Sequence, residues 1–209
     1  MKNIRSRIVS VALVFSFIGV NAQKYTEGDK TLSFLAGETT VNLEYDYENM
    51  IVGKKPEAEY VKGKVEDYNF KEPGRGDRWK IRWFDNRSAI FEPIFEVSIN
   101  DFLLRYKTNI TAGKNKTAGK YTLIIRTVWT EPGYNTVVAN KDAYCKFEFI
   151  WMETATKKMM AKSKLKKVVG VPRYGDDFNN FDAANRIQEC YASAGNVVGS
   201  TIGKALKKK

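Results

Sequence analysis

A row of glycines in the last helical stretch constrains the fold of this chain more than any other feature. Between 181 and 206, Ala184, Ile187, Tyr191, Ala194, Val198, Ile202 and Ala205 recur at steps of three and four. That spacing sets them on one stripe of a helix. Gly195, Gly199 and Gly203 form a second row, each four residues from the next. A glycine inside a helix costs about 1 kcal/mol relative to alanine, so three in register call for a close backbone neighbour. Two neighbours satisfy this: the sheet of the same domain, or a partner helix docking on the Gly-x-x-x-Gly face as helices do in membranes. Asn196, Ser200, Thr201 and Lys204 interrupt the apolar run, which argues against a membrane span. Asp177, Asn179, Asn180 and Asp182 crowd the helix start, where side-chain oxygens cap free N–H groups.

At the other end of the chain, Lys2, Arg5 and Arg7 precede an apolar run from Ile8 to Val20. Small residues follow at the cleavage positions. The pattern predicts a signal peptide over 1–22 and a mature start at Gln23, hence an exported protein, periplasmic or secreted. The remaining 23–209 suits a single domain with a sizeable core. It contains no second stretch apolar enough for a transmembrane helix. Lys2, Arg5 and Arg7 leave with the leader, lowering the formal charge from +11 to +8. A surplus of that size favours anionic partners without specifying one.

The interior reads as a mixture of periods. Thr31 to Ala36 is expected as a short strand, and Val41, Leu43, Tyr45 and Tyr47 alternate as a half-buried one. Residues 57–72 suit a short exposed helix. Glu72 to Asp77 reads as a loop from its Pro and Gly content, its Arg75-Gly76-Asp77 being a chance tripeptide. Trp79, Ile81, Trp83 and Phe84 fit neither period cleanly; they suit core, or an aromatic platform. Pro93 marks a helix start, and Ile94, Phe95, Ile99, Phe102, Leu103 and Tyr106 carry its apolar face. Three strands follow: 121–129, 143–153 and 159–169, rich in β-branched and aromatic residues and joined by turns. Cys145, Phe147 and Phe149 face one way, while Lys162, Lys164 and Lys166 line the other side from Ala161, Ser163, Leu165 and Lys167. The expected fold class is α+β: an antiparallel sheet with the 93–106 and 181–206 helices on one face, a two-layer sandwich.

The chemistry is bounded by what is missing. With no histidine, the Ser-His-Asp triad, the Cys-His dyad and His-based zinc sites fall away. No P-loop or dinucleotide fingerprint occurs, and no metal or cofactor is expected. Glu131, Asp176, Asp177 and Asp182 leave carboxylate catalysis formally open. Cys145 and Cys190, on a strand and a helix, either form a disulfide stapling helix to sheet or pack as buried thiols. Lys162, Lys164, Lys166 and Arg173 head a basic cluster, either a solvated face guarding a sheet edge or a surface for an anionic partner. Nucleic acid is not expected as that partner in an exported protein.

The leader end Val20-Asn21-Ala22-Gln23, the turn Glu131-Pro132-Gly133-Tyr134-Asn135, and Asp177-Phe178, Arg186-Ile187 and Tyr191-Ala192-Ser193-Ala194-Gly195 resemble a group of uncharacterised exported bacterial proteins. The resemblance spans most of the mature chain and brings no activity or site residues. The order strand, helix, three strands, helix is also similar to the N-terminal α/β domain of the periplasmic protein TolB, an analogy of order alone. Two functions are expected from these features. The first is a non-enzymatic envelope module that binds anionic envelope components or a protein partner, with Gly195, Gly199 and Gly203 as an interaction face. The alternative is a carboxylate-dependent glycan hydrolase, marked by two acids in a cleft beside Trp79 or Trp83.

Overall fold

The computed structural model describes residues 27–28, 31–136, 138–170 and 182–207. The expected signal peptide, Arg173, and the acids and amides at 176–180 lie outside the described residues. In chain order the strands and helices are β1 (Glu27–Gly28), β2 (Thr40–Asp46), β3 (Ile51–Val52), β4 (Lys55–Pro56), α1 (Glu57–Lys71), α2 (Arg75–Asn86), α3 (Glu92–Arg105), β5 (Thr111–Gly113), β6 (Tyr121–Glu131), β7 (Tyr134–Asn135), β8 (Asn140–Lys141), β9 (Tyr144–Glu153), β10 (Met159–Val169) and α4 (Ala183–Lys207). A 3₁₀ turn covers Ser33–Leu35, and a π-type segment, Arg87–Phe91, joins α2 to α3.

The class is α+β. One sheet runs β1-β10-β9-β6-β2-β5, with β3 beside β6 and β4 beside β3. The expected three-stranded unit β6, β9, β10 is antiparallel. The rest of the sheet is not: β2 lies parallel to both β6 and β5, and β3 runs parallel to β6. The sheet is therefore mixed, a correction to the all-antiparallel expectation. The chain leaves β2 through α1, α2 and α3 before β6 returns beside it, and a helical crossover of that kind delivers parallel strands.

Helices α3 and α4 cover one face, where Leu123, Ile125, Phe147, Phe149 and Leu165 are buried. Phe95 of α3 stacks on Phe149 with centroids 6.3 Å apart, and Tyr191 of α4 meets Phe147 edge-on at 5.0 Å. The opposite face follows from the register. Asp46, Arg126, Glu148 and Lys164 stand side by side on one rung, and Ile124, Ile150 and Lys162 on the next.

Two local expectations are corrected. Leu32 and Leu35 are buried three residues apart, as a 3₁₀ turn requires, so 31–36 is not a strand. Arg75-Gly76-Asp77 is the first turn of α2 rather than a loop. A Cβ on Gly76 would lie 2.3 Å from the Val65 carbonyl oxygen, so this glycine lets α2 press against α1. No helix among the described residues is long and apolar enough to cross a membrane.

Candidate functional site

Two regions bring charged and aromatic side chains together: a cleft under α1 and α2, and a rung of the sheet on the face away from the helices. The cleft begins at Glu57, the first residue of α1. Its carboxylate accepts from Trp83 Nε1 at 2.7 Å and holds the Arg87 guanidinium with both oxygens at 2.5 Å. The ion pair is mostly buried, with side chains 14% and 20% exposed. Arg87 opens the π segment, whose wider turn lets the Glu92 N–H reach back to the Arg87 carbonyl. Such insertions recur at functional sites because they re-aim side chains. Here Arg87 lies over the Tyr47 ring at 4.3 Å, and Phe91 stacks on Tyr191 at 5.1 Å.

Polar atoms in the cleft are spoken for. The Tyr191 hydroxyl is 2.7 Å from Thr127 Oγ1, and Tyr47 donates to Glu92 at 3.4 Å. Lys114 also binds the Glu92 carboxylate. Burial drives the Tyr47 hydroxyl well above its ordinary value, with the Glu92 charge adding to the effect. Burial likewise pushes Tyr60 up to about 12. Trp79 and Trp83 stack on each other at 5.4 Å, and Tyr60 packs against both. The aromatic surface is consumed internally rather than offered as a flat platform. Among the described residues Glu57 is the single carboxylate lining the cleft, which leaves room for about one water molecule.

The second region is set by two irregularities at the same level of the sheet. Between Leu165 and Val168, strand β10 carries an extra residue, so Lys166 and Lys167 together oppose Lys146 of β9. Between Thr127 and Trp129, β6 shifts register too, bringing Trp129 opposite Lys146. Bulges of this kind occur next to binding sites, where they re-aim side chains. The Lys146 ammonium lies 4.7 Å from the Trp129 ring centroid, and Lys167 lies 4.3 Å from that of Tyr144. Lys146, Lys166 and Lys167 are all exposed. The bulge also corrects the expected alternation: Lys167 faces solvent, and Val168 takes the buried place.

Lys162 and Lys164 stand differently. Both reach Glu148, at 2.9 and 3.1 Å, and Arg126 bonds Asp46 at 2.6 Å. Asp46 and Glu148 thus offset two of the three positive charges of Arg126, Lys162 and Lys164.

The glycine row has a partner inside the chain. A Cβ on Gly195 would come 2.7 Å from the Phe95 oxygen, one on Gly199 2.6 Å from the Ile99 oxygen, and one on Gly203 2.2 Å from the Tyr106 ring. The close neighbour is α3 and the residue after it, neither the sheet nor a partner molecule. Cys145 and Cys190 are both buried, and no S–S bond joins them in this structure. Asp182 caps α4, its carboxylate accepting the Ala184 N–H at 2.9 Å. Arg186, buried in α4, donates to the carbonyls of Pro132 and Gly133 and pins the 131–135 turn to the helix. Among the described residues no three metal-ligating side chains converge.

The molecule defined by these features is a two-layer α+β domain with a closed aromatic cleft and a basic rung on its helix-free face. No protein-family model matches the chain, and no curated protein matches it. Among solved structures, the chain is similar to a PelC dodecamer from Paraburkholderia phytofirmans, with 9% identity, 88% of this chain and 96% of that chain covered, and a TM-score of 0.40. A PelC point-variant dodecamer from the same organism is 11% identical over 74% of this chain and 89% of its own, with a TM-score of 0.30. Scores this low do not establish a shared fold.

Proposed function

We propose that this chain is an exported bacterial envelope protein, periplasmic or at the outer membrane, that acts as a non-enzymatic binding module for an anionic envelope component. The observation that carries the reading is the rung of Lys146, Lys166 and Lys167 beside Trp129, where two bulges gather three exposed cations at one level of the sheet. Lys162 and Lys164 extend the surface but share Glu148, while Lys146 and Lys167 lie against the Trp129 and Tyr144 rings at the bulge. The leader-like pattern at 1–22 supports export. Hydrolysis of a glycan by two carboxylates is the less favoured reading, because among the described residues the cleft beside Trp83 offers one carboxylate, already bound by Arg87 and the indole.

The test is co-sedimentation of residues 23–209 with anionic lipid vesicles, lipopolysaccharide and peptidoglycan, each at low and moderate salt, with neutral vesicles as control. Each lysine near an anionic surface contributes roughly 1 kcal/mol. Replacing Lys146, Lys166 and Lys167 together by serine is therefore expected to weaken binding by roughly tenfold or more. Replacing Lys162 and Lys164 is expected to do less. Absence of binding to every anionic material at low salt would remove the proposal.

A further inference from the structure

We infer that Cys145 and Cys190 are the two halves of a structural disulfide that locks α4 to the sheet. Cys145 projects from β9 into the core and Cys190 from α4 onto the same spot; both are 0% exposed. The Cys190 sulfur lies 3.6 Å from the Ala143 carbonyl, two residues before Cys145, and 3.4 Å from the place a Cβ on Gly170 would occupy. Gly170 in turn donates to Ala143 at 3.1 Å. On the other side, Cys145 sits 3.7 Å from Thr130 Oγ1. After burial, the Cys145 side chain is the strongest influence on the Cys190 thiol, as a close neighbour would be. Their contacts to Thr130, Ala143 and the Arg186 carbonyl are long, at 3.7, 3.6 and 4.0 Å. Among the described residues no cluster of metal-ligating side chains stands beside either thiol.

The inference rests on the proposed export, because an oxidising compartment supplies the oxidant, a protein or small-molecule disulfide. One cysteine thiolate attacks a sulfur of that disulfide and expels one thiol, leaving a mixed disulfide. The second cysteine thiolate then attacks the protein sulfur of the mixed disulfide and expels the other thiol. Two electrons and two protons pass to the oxidant, and one S–S bond forms in the protein. Burial pushes the Cys190 thiol well above its ordinary value, so the folded, reduced protein reacts slowly. The bond therefore forms while α4 docks, and once formed it resists reductant until the chain unfolds.

The experiment refolds reduced, denatured protein in a glutathione redox buffer and digests it with trypsin without reduction. The expected product joins residues 142–146 to residues 187–204, lighter by two hydrogens than the two peptides apart. The oxidised protein is expected to melt roughly 5–10 °C above the reduced one. Folded protein whose two thiols still alkylate after denaturation, or that carries only glutathione adducts or intermolecular links, overturns the inference. If refolding is inefficient, the same mapping on native protein held with oxidised glutathione in sub-denaturing urea reads the same bond. Glutathione supplies the oxidant in vitro, so the result is independent of export. Export is read separately, by fractionating cells that produce the full chain.

Discussion

Glu148 shows how a single residue decides the character of a surface. Burial alone would raise its carboxyl pKa, but hydrogen bonds from Lys162 and Lys164 outweigh that and hold it below the ordinary value near 4.5. A depressed folded-state pKa contributes stability above the unfolded value, and that stability is lost as pH falls through the folded one. Glu148→Gln is therefore expected to cost roughly 1 kcal/mol at pH 7, the range of a partly exposed ion pair, and progressively less below about pH 4.5. Urea denaturation of both proteins at pH 7 and pH 3 measures this; an equal penalty at both would discard the ion-pair account. The alternation of β10 made Lys162, Lys164 and Lys166 legible as one row. It did not show that Glu148 opposes two of them, since pairing register is a property of two strands and not of one. Nor did it show the bulge that turns Lys167 outward. A strict period of two carries no mark of an inserted residue.

The α3–α4 pair shows the same limit at the scale of elements. The glycine row correctly announced a close backbone approach, but the spacing says nothing about what approaches, and a helix fits as well as a sheet. The contact has a sharp consequence. Alanine at 199 gains about 1 kcal/mol of helix propensity, yet its Cβ would sit 2.6 Å from the Ile99 oxygen and 2.8 Å from the Phe102 Cβ. Overpacking of that kind costs about 1–3 kcal/mol or more, and here the nearest atom is backbone, which cannot rotate aside. Gly199→Ala is expected to destabilise the fold. Gly63, exposed in α1 with nothing within 4 Å of its would-be Cβ, is the matched control, and Gly63→Ala is expected to stabilise by roughly 0.5–1 kcal/mol. Urea midpoints read both signs; a stabilising Gly199→Ala would mean that α4 does not press on α3. Helix α2 was less legible. Trp79 and Trp83 share a helical face, but the π segment at Arg87–Phe91 breaks the 3.6 period before α3 resumes it. A sequence pattern interrupted that way fits no single template.

For the whole molecule, the sequence reading found the two-layer class and the helical face but not the strand order. Alternation in β2 assigns Val41 and Leu43 to the core; it cannot say that β2 runs parallel to β6, because direction depends on the path of the intervening helices. That path divides the molecule into parts of unequal stability. Twelve of the 25 residues of α4 are buried, against one of 15 in α1. α4 seals Phe147 and Cys145 beneath Tyr191 and Cys190, so the sheet cannot open without it. α1 is fixed mainly at its start, where Glu57 holds Trp83 and Arg87, and its Phe70 end is 91% exposed. Segments with few buried apolar groups open locally at lower free energy than those at the centre of the core. Hydrogen exchange is accordingly expected to find β6, β9 and α4 protected until global unfolding, and α1 exchanging sooner, fastest towards Lys71. Glu57→Gln should deepen that gradient, because it loosens the end of α1 that reaches the core, while the far end is held by largely exposed bonds to the start of α2. Equal protection of α1 and β9 would mean that the α1–α2 pair is part of the same cooperative unit as the sheet, bound to it by more than the Glu57 cluster.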